Sequence, residues 1–194
     1  MATFKEMLEK EQITLGELTE YLDKLSNEQR IEESAQLKKK HQIKLWELAV
    51  DGKEVDLEYL VPKDAKPLDP YSFAGKNSLP LFTHFKKVFY RTTTGEVAGY
   101  NDSPVAWLVG WGYMIVEKSS KNPKELGVNY LKVPTEKPEG WPNIKPNSAG
   151  LTRFVYGNMI DYLRWVSKDV LIGRAYRAGE TEMPNWFVLC RTRF

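Results

Sequence analysis

From Arg153 to Phe194 the chain is dominated by aromatic and β-branched residues. Turn-forming residues break this run at Ser167-Lys168-Asp169 and Ala178-Gly179-Glu180. Such a run, cut at hairpin spacing, is the pattern of consecutive antiparallel strands. A closing meander of this kind needs further strands beside it and a surface to pack against. The rest of the chain must supply both.

The prolines divide the chain. All 11 lie at or after Pro62, and the first 61 residues have none. Before that boundary the pattern is helical. Thr14-Leu-Gly-Glu17 and Ser26-Asn-Glu-Gln29 are capping boxes, in which side chains at both ends satisfy free backbone N–H groups. Leu15, Leu18, Leu22 and Leu25 follow the first at helical spacing, and Ile31, Ala35 and Leu37 follow the second. Ile43, Leu45, Trp46, Leu48 and Ala49 continue toward Gly52, and Asp56 caps a short turn that Pro62 stops. Two to four helices are expected, and helices of this length need a partner surface.

Residues 62–80 read as a stiff connector, with a turn at Gly75-Lys-Asn-Ser78. From Leu81 the pattern becomes that of strands: Leu81 to Arg91, although Phe82, Phe85, Val88 and Phe89 also fit a helical stripe, then Val97 to Asn101, Val105 to Lys118 and Gly127 to Val133. In the third, Trp107, Val109, Trp111, Tyr113 and Ile115 alternate with small residues, which suits a curved sheet. Pro134 to Gly150 holds four prolines and two glycines and is irregular. Trp141 within it is either pinned to the sheet or exposed. Six to eight short antiparallel strands close most easily as a barrel or a strongly curved sheet. The expected class is therefore α+β, with a helical extension over 1–61, a connector over 62–80 and an antiparallel, lipocalin-like domain over 81–194. Strands and helices do not alternate, which disfavours a doubly wound α/β fold.

Charge and cysteine usage narrow the partners. The first 61 residues carry 9 Lys/Arg against 14 Asp/Glu, and the remainder carry 19 against 12. The basic residues are scattered without a stripe, so no nucleic acid is expected. No apolar stretch approaches the ~20 residues that cross a bilayer. The single Cys190 excludes an internal disulfide and a multi-cysteine zinc site. With the charged N-terminus, which lacks a signal-like apolar run, it points to the cytoplasm.

Met159-Ile-Asp-Tyr-Leu-Arg164-Trp-Val-Ser-Lys-Asp-Val-Leu-Ile-Gly173, followed by Trp186-Phe-Val-Leu-Cys-Arg191, resembles the C-terminal barrel region of the GXWXG-type bacterial proteins. In that family an aspartate, an aromatic-arginine-valine segment, a Leu-Gly pair and a final Phe-Val-Leu-x-Arg strand recur in this order. The match covers the last fifth of the chain. The Gly-x-Trp-x-Gly signature is absent; Val109-Gly-Trp-Gly-Tyr113 comes nearest. The resemblance implies a lipocalin-like barrel and no particular ligand.

Few residues stand out chemically. His84 is either a haem-type ligand or a hydrogen-bonded core or rim histidine, and the second reading is the commoner. It has no partner at metal-ligand spacing, so no metal site is expected, and no motif assigns a cofactor. Asp161, Arg164 and Arg174 lie in apolar strands, where an unpaired charge is costly; the simplest reading is that each is paired. The functional reading turns Arg164 or Arg174 inward to meet a ligand carboxylate. By strand parity Arg164 shares a face with Tyr156, and Arg174 with Tyr176. Trp107 and Trp111 line a cavity or fill a core. Cys190 reads as a small buried residue.

Three functions follow as expectations. The first is a barrel binding a small apolar, amphipathic or carboxylate-bearing ligand through Arg164, Arg174, Tyr156, Tyr176, Trp107, Trp111 and His84. The second is an enzyme using the cavity for acid–base chemistry, with Asp161, His84 or a tyrosine. The third is an interaction module with a solid barrel and a docking helical N-terminus. A cavity with one charged group favours the first, and converging titratable groups favour the second.

Overall fold

The structure, a computed structural model, describes residues 2–192. Arg193 and Phe194, the end of the predicted last strand, lie outside them. Four helices come first: α1 (Phe4–Glu9), α2 (Leu15–Lys24), α3 (Asn27–Ala35) and α4 (Lys39–Leu48). Both predicted capping boxes are formed, at Thr14 and Glu17 and at Ser26 and Gln29. A third, Thr3 with Glu6, opens α1. Asp56 caps α5 (Leu57–Leu60).

Eight strands follow: β1 (Tyr71–Asn77), β2 (His84–Arg91), β3 (Val97–Asp102), β4 (Met114–Lys118), β5 (Leu126–Asn129), β6 (Met159–Ser167), β7 (Val170–Arg177) and β8 (Thr181–Arg191). Each pairs antiparallel with the next, and β1 pairs with β8, so the sheet closes into an up-and-down barrel. The class is α+β and the barrel is lipocalin-like in architecture. Closure leaves no strand edge open.

Alternation along the strands sorts the side chains. Phe73, Phe89, Val97, Met114, Val116, Leu126, Val128, Leu163, Leu171 and Leu189 point inward and fill one half of the barrel. Val55, Leu60 and Val61, around α5, close that end. The chain leaving α5 is tied down by Arg91, whose Nε donates to Pro62 O and whose Nη2 donates to Val61 O, each at 2.8 Å. The outer faces are covered twice. Helices α1–α4 lie over Tyr162, Val166, Val170, Ile172, Val188 and Cys190. The proline-rich segment 134–150 covers Val88, Tyr100 and Tyr113, with Trp141 seated 4.5 Å from the Tyr100 ring. Trp141 is thus pinned, one of the two alternatives open from its sequence context.

Three predicted elements differ. The turn expected at 75–78 is mostly strand: β1 runs through Asn77, inside the segment read as connector. Gly75 is there for space, because a Cβ would stand 2.5 Å from the Phe85 ring across the strand pair. The strand expected over Val105 to Lys118 begins only at Met114. Before it, α6 (Ala106–Val109) makes one turn, and Gly110 and Gly112 at φ 90° and 55° break the extended backbone. The stretch from Arg153 to Asn158 is also not strand, since α7 (Thr152–Val155) makes another single turn.

Candidate functional site in the open half of the barrel

The end of the barrel opposite α5 is not filled. A cavity of about 280 Å³ opens there, bounded by Phe82, Phe85, Val109, Val155, Met159 and Phe187, with Lys87, Asn101, Tyr130, Tyr156 and Asp161 also on it. Strand parity places these polar groups inside. On β2, Lys87 shares a face with Phe85 and Phe89, and on β6 Asp161 shares a face with Met159 and Leu163. Asn101 comes from β3, and Tyr130 follows β5 directly.

These four side chains form one hydrogen-bonded cluster. Lys87 Nζ donates to Asn101 Oδ1 at 3.0 Å, to Asp161 Oδ2 at 3.1 Å and to Tyr130 Oη. Tyr130 Oη also accepts from Asn101 Nδ2 at 3.0 Å and donates to Asp161 Oδ2 at 3.1 Å. The remaining amide proton of Asn101 faces Gly112 O at 3.4 Å. One proton assignment satisfies every one of these contacts: an ammonium with three acceptors, a phenol with two donors to it and one acceptor, and a carboxylate oxygen with two donors. Lys87 is 2% exposed and Asp161 3%. Burial pulls the Lys87 amine below its ordinary range, and Asp161 opposes that pull. Burial also drives the Tyr130 phenol well above its usual range, so it stays protonated. The ammonium rests near the rings of Phe187 and Tyr130, at 5.0 and 5.1 Å.

Tyr156 extends the cluster toward the mouth. It stacks on Tyr130 with ring centroids 5.1 Å apart and lies over Gly112, where a Cβ would stand 2.7 Å from its ring. The carboxylate oxygen of Asp161 engaged by Lys87 and Tyr130 is Oδ2 alone; among the described residues Oδ1 has no hydrogen-bond donor. The floor therefore carries two compensating charges and an open acceptor.

Of the residues expected from sequence to bind a ligand, only Tyr156 lies on this cavity. Arg164 points outward under the helices, where Nε meets Glu125 Oε1 at 2.7 Å and Nη1 donates to Trp46 O at 2.8 Å. Arg174 also points outward, pairing with Glu182 Oε2 at 2.8 Å and lying over Trp186. The inward orientation of both arginines is thereby corrected: their neighbours Leu163, Gly173 and Ala175 hold the inner face. Tyr176 is on the outer face, edge-on to Tyr162. Trp111 packs outside against Tyr100, and Trp107 is exposed on α6. His84 sits at the exposed start of β2, with Nδ1 3.2 Å from Thr83 Oγ1. The pairing expected for Asp161, Arg164 and Arg174 holds for all three.

Lys87 and Asn101 were not singled out in the sequence. The usable signal was the parity Phe85-x-Lys87-x-Phe89, a cation on an otherwise aromatic face. Among the described residues no three His, Cys, Asp or Glu side chains are grouped to hold a metal ion, and no helix is long and apolar enough to cross a membrane. A larger recess of about 600 Å³ lies outside the barrel between residues 106–113 and 142–152; its titratable side chains are Tyr113 and exposed Lys145. No protein-family model, no curated protein and no solved structure matches this chain.

Proposed function

We propose that the barrel binds a small, neutral, amphipathic molecule, its apolar body against Phe85, Val109, Met159 and Phe187 and its polar end at Asp161 and Tyr156. The observation that carries this reading is a hydrogen-bonded polar cluster at the floor of a mostly apolar cavity, whose other polar lining residues are Asn77, Ser103 and Asn185. Few and fixed polar groups in an apolar recess are what orient a small ligand. The charges of Lys87 and Asp161 cancel, which favours an uncharged ligand over a carboxylate. Asp161 Oδ1 favours a hydroxyl or another hydrogen-bond donor.

A catalytic use of the same cluster is the weaker reading. Lys87, Asp161 and Tyr130 do converge, as acid–base chemistry would need. All three ammonium protons are directed at protein acceptors, however, which leaves the amine no lone pair to turn toward the cavity. This supports a positioning role for Lys87.

The test is displacement of an environment-sensitive dye from the wild-type chain by a medium-chain alcohol and by the matching fatty acid. The alcohol is expected to compete at least ~10-fold better, since a carboxylate would bring an uncompensated charge to the floor. Ala175→Phe, which puts a ring into the cavity from the position paired with Asp161 across β6 and β7, is expected to abolish dye binding while the circular dichroism spectrum is kept. Equal competition by alcohol and acid would count against the neutral ligand. A dye signal that survives Ala175→Phe would place binding elsewhere.

A further inference from the structure

We propose that the open end of the barrel is a face that docks on a lipid bilayer. Ten large apolar side chains are exposed among the described residues, and nine of them sit in the connections at this end. The tenth is Val50. Eight of the nine occupy three tips around the mouth: Leu79, Leu81 and Phe82 between β1 and β2, Trp107 and Leu108 on α6, and Leu151, Phe154 and Val155 at α7; the ninth, Leu131, follows β5. Trp107 is 77% exposed and Phe154 71%. Exposed apolar surface gathered in this way marks an interaction site rather than ordinary scatter.

Three features point to lipid as the occupant. The first is charge. Residues 78–83 and 103–113 carry no charged side chain, and residues 140–158 carry only Lys145 and Arg153, both exposed. The three tips themselves thus carry cations and no acid, which complements an anionic headgroup layer; the acids at this end are Asp102 at the end of β3 and Glu180 and Glu182 in the β7–β8 hairpin. Arg153 lies against the Phe154 ring at 4.7 Å, placing a cation beside an aromatic at interfacial depth. The second feature is the backbone. Two of the tips are closed helical turns: Val109 N and Gly110 N donate to Val105 O and Ala106 O, and Tyr156 N and Gly157 N donate to Thr152 O and Arg153 O. A segment entering the acyl boundary must satisfy its own amides, and these do. The third is shape. The tips surround an opening instead of forming one flat patch, and a fluid acyl layer conforms to separate tips. Phe82 and Val155 belong both to the exposed rim and to the cavity wall, so the rim runs into the cavity. Docking does not depend on which ligand the cavity takes.

The experiment is co-sedimentation of the full chain with phosphatidylcholine vesicles, with and without phosphatidylserine, beside the double variant Trp107→Ser/Phe154→Ser. Wild type is expected to sediment more with phosphatidylserine present and less as salt rises. The double variant is expected to lose roughly ten-fold or more in partitioning, from the apolar area removed. Absence of wild-type sedimentation with either vesicle overturns the proposal, as does equal sedimentation of the variant. Light scattering that shows a dimer dispersed by the same substitutions would assign the face to a second copy and overturn it too. Should the double variant misfold, quenching of wild-type tryptophan fluorescence by lipids brominated on the acyl chain decides: quenching is expected, and its absence overturns docking.

Discussion

Lys87 shows how one residue can be both costly and necessary. Its ammonium is buried with Asp161, Tyr130 and Asn101, and its three bonds offset the loss of water. Lys87→Met would leave the Asp161 carboxylate buried without a counter-ion. The expected cost is about 3–5 kcal/mol, read as a lower urea midpoint at neutral pH. That penalty should shrink as pH falls, because an isolated buried carboxylate has its folded pKa raised and is stabilised by protonation. Lys87→Met/Asp161→Leu should recover most of the loss, since removing both charges leaves no orphan. A double variant as unstable as the single one would mean that the ion pair is not what the lysine provides. In the sequence Lys87 stands beside Lys86, and two adjacent lysines read as solvated. Only strand parity separates them, and parity assigns a face once the strand's start is known. That start was placed at Leu81, three residues before the observed one. Asp161 was legible as a paired charge, but its partner 74 positions away was not.

Among the elements, the helices were legible and the barrel connections were not. Capping boxes and leucine spacing are local signals, and helices obey them when tertiary contacts agree. The connections at 78–83, 103–113 and 130–158 are shaped by contacts between residues far apart in the chain. Glycine illustrates the difference. Gly75 within Gly-Lys-Asn-Ser has turn composition, yet it lies in a strand because Phe85 from β2 covers it. Gly173 does the same for Phe187 across β7 and β8, where a Cβ would stand 2.2 Å from the ring. These two phenylalanines meet edge to face at 6.0 Å and line the cavity. Gly173→Ala should therefore act on both stability and binding. Overpacking of this kind costs about 1–3 kcal/mol, and the displaced Phe187 ring should weaken dye binding. A Gly173→Ala protein with unchanged midpoint and unchanged dye affinity would show that the ring relaxes freely, against the packing argued for this half of the barrel.

At the scale of the molecule, helices and barrel were expected as separate segments of sequence; whether they unfold separately is a different matter. The packing argues for one cooperative unit. Arg30 on α3 is 3% exposed and meets Asp169 Oδ2 at 2.8 Å, while Arg191 near the end of β8 meets Asp169 Oδ1 at 3.2 Å. One buried carboxylate thus joins a helix, the β6–β7 turn and the strand that closes the barrel. If α3 lifted off, Asp169 would lose the Arg30 half of this bridge and keep only Arg191. Cys190 reports on this junction. It is 1% exposed in the apolar layer between β8 and the helices, and burial pushes its thiol up to about 12. In the native state it is therefore both covered and protonated, and a thiol reagent must wait for an opening. If the helices lifted off alone, labelling in low urea would depend weakly on denaturant, because little surface is exposed by that step. If helices and barrel open together, the urea dependence of the opening free energy should equal the slope of equilibrium unfolding by circular dichroism. Equality is the expected result, with labelling followed by mass spectrometry. A markedly smaller slope would mean that the Arg30–Asp169 contact breaks before the barrel does, and that the helical layer is a separate unit resting on a self-sufficient barrel.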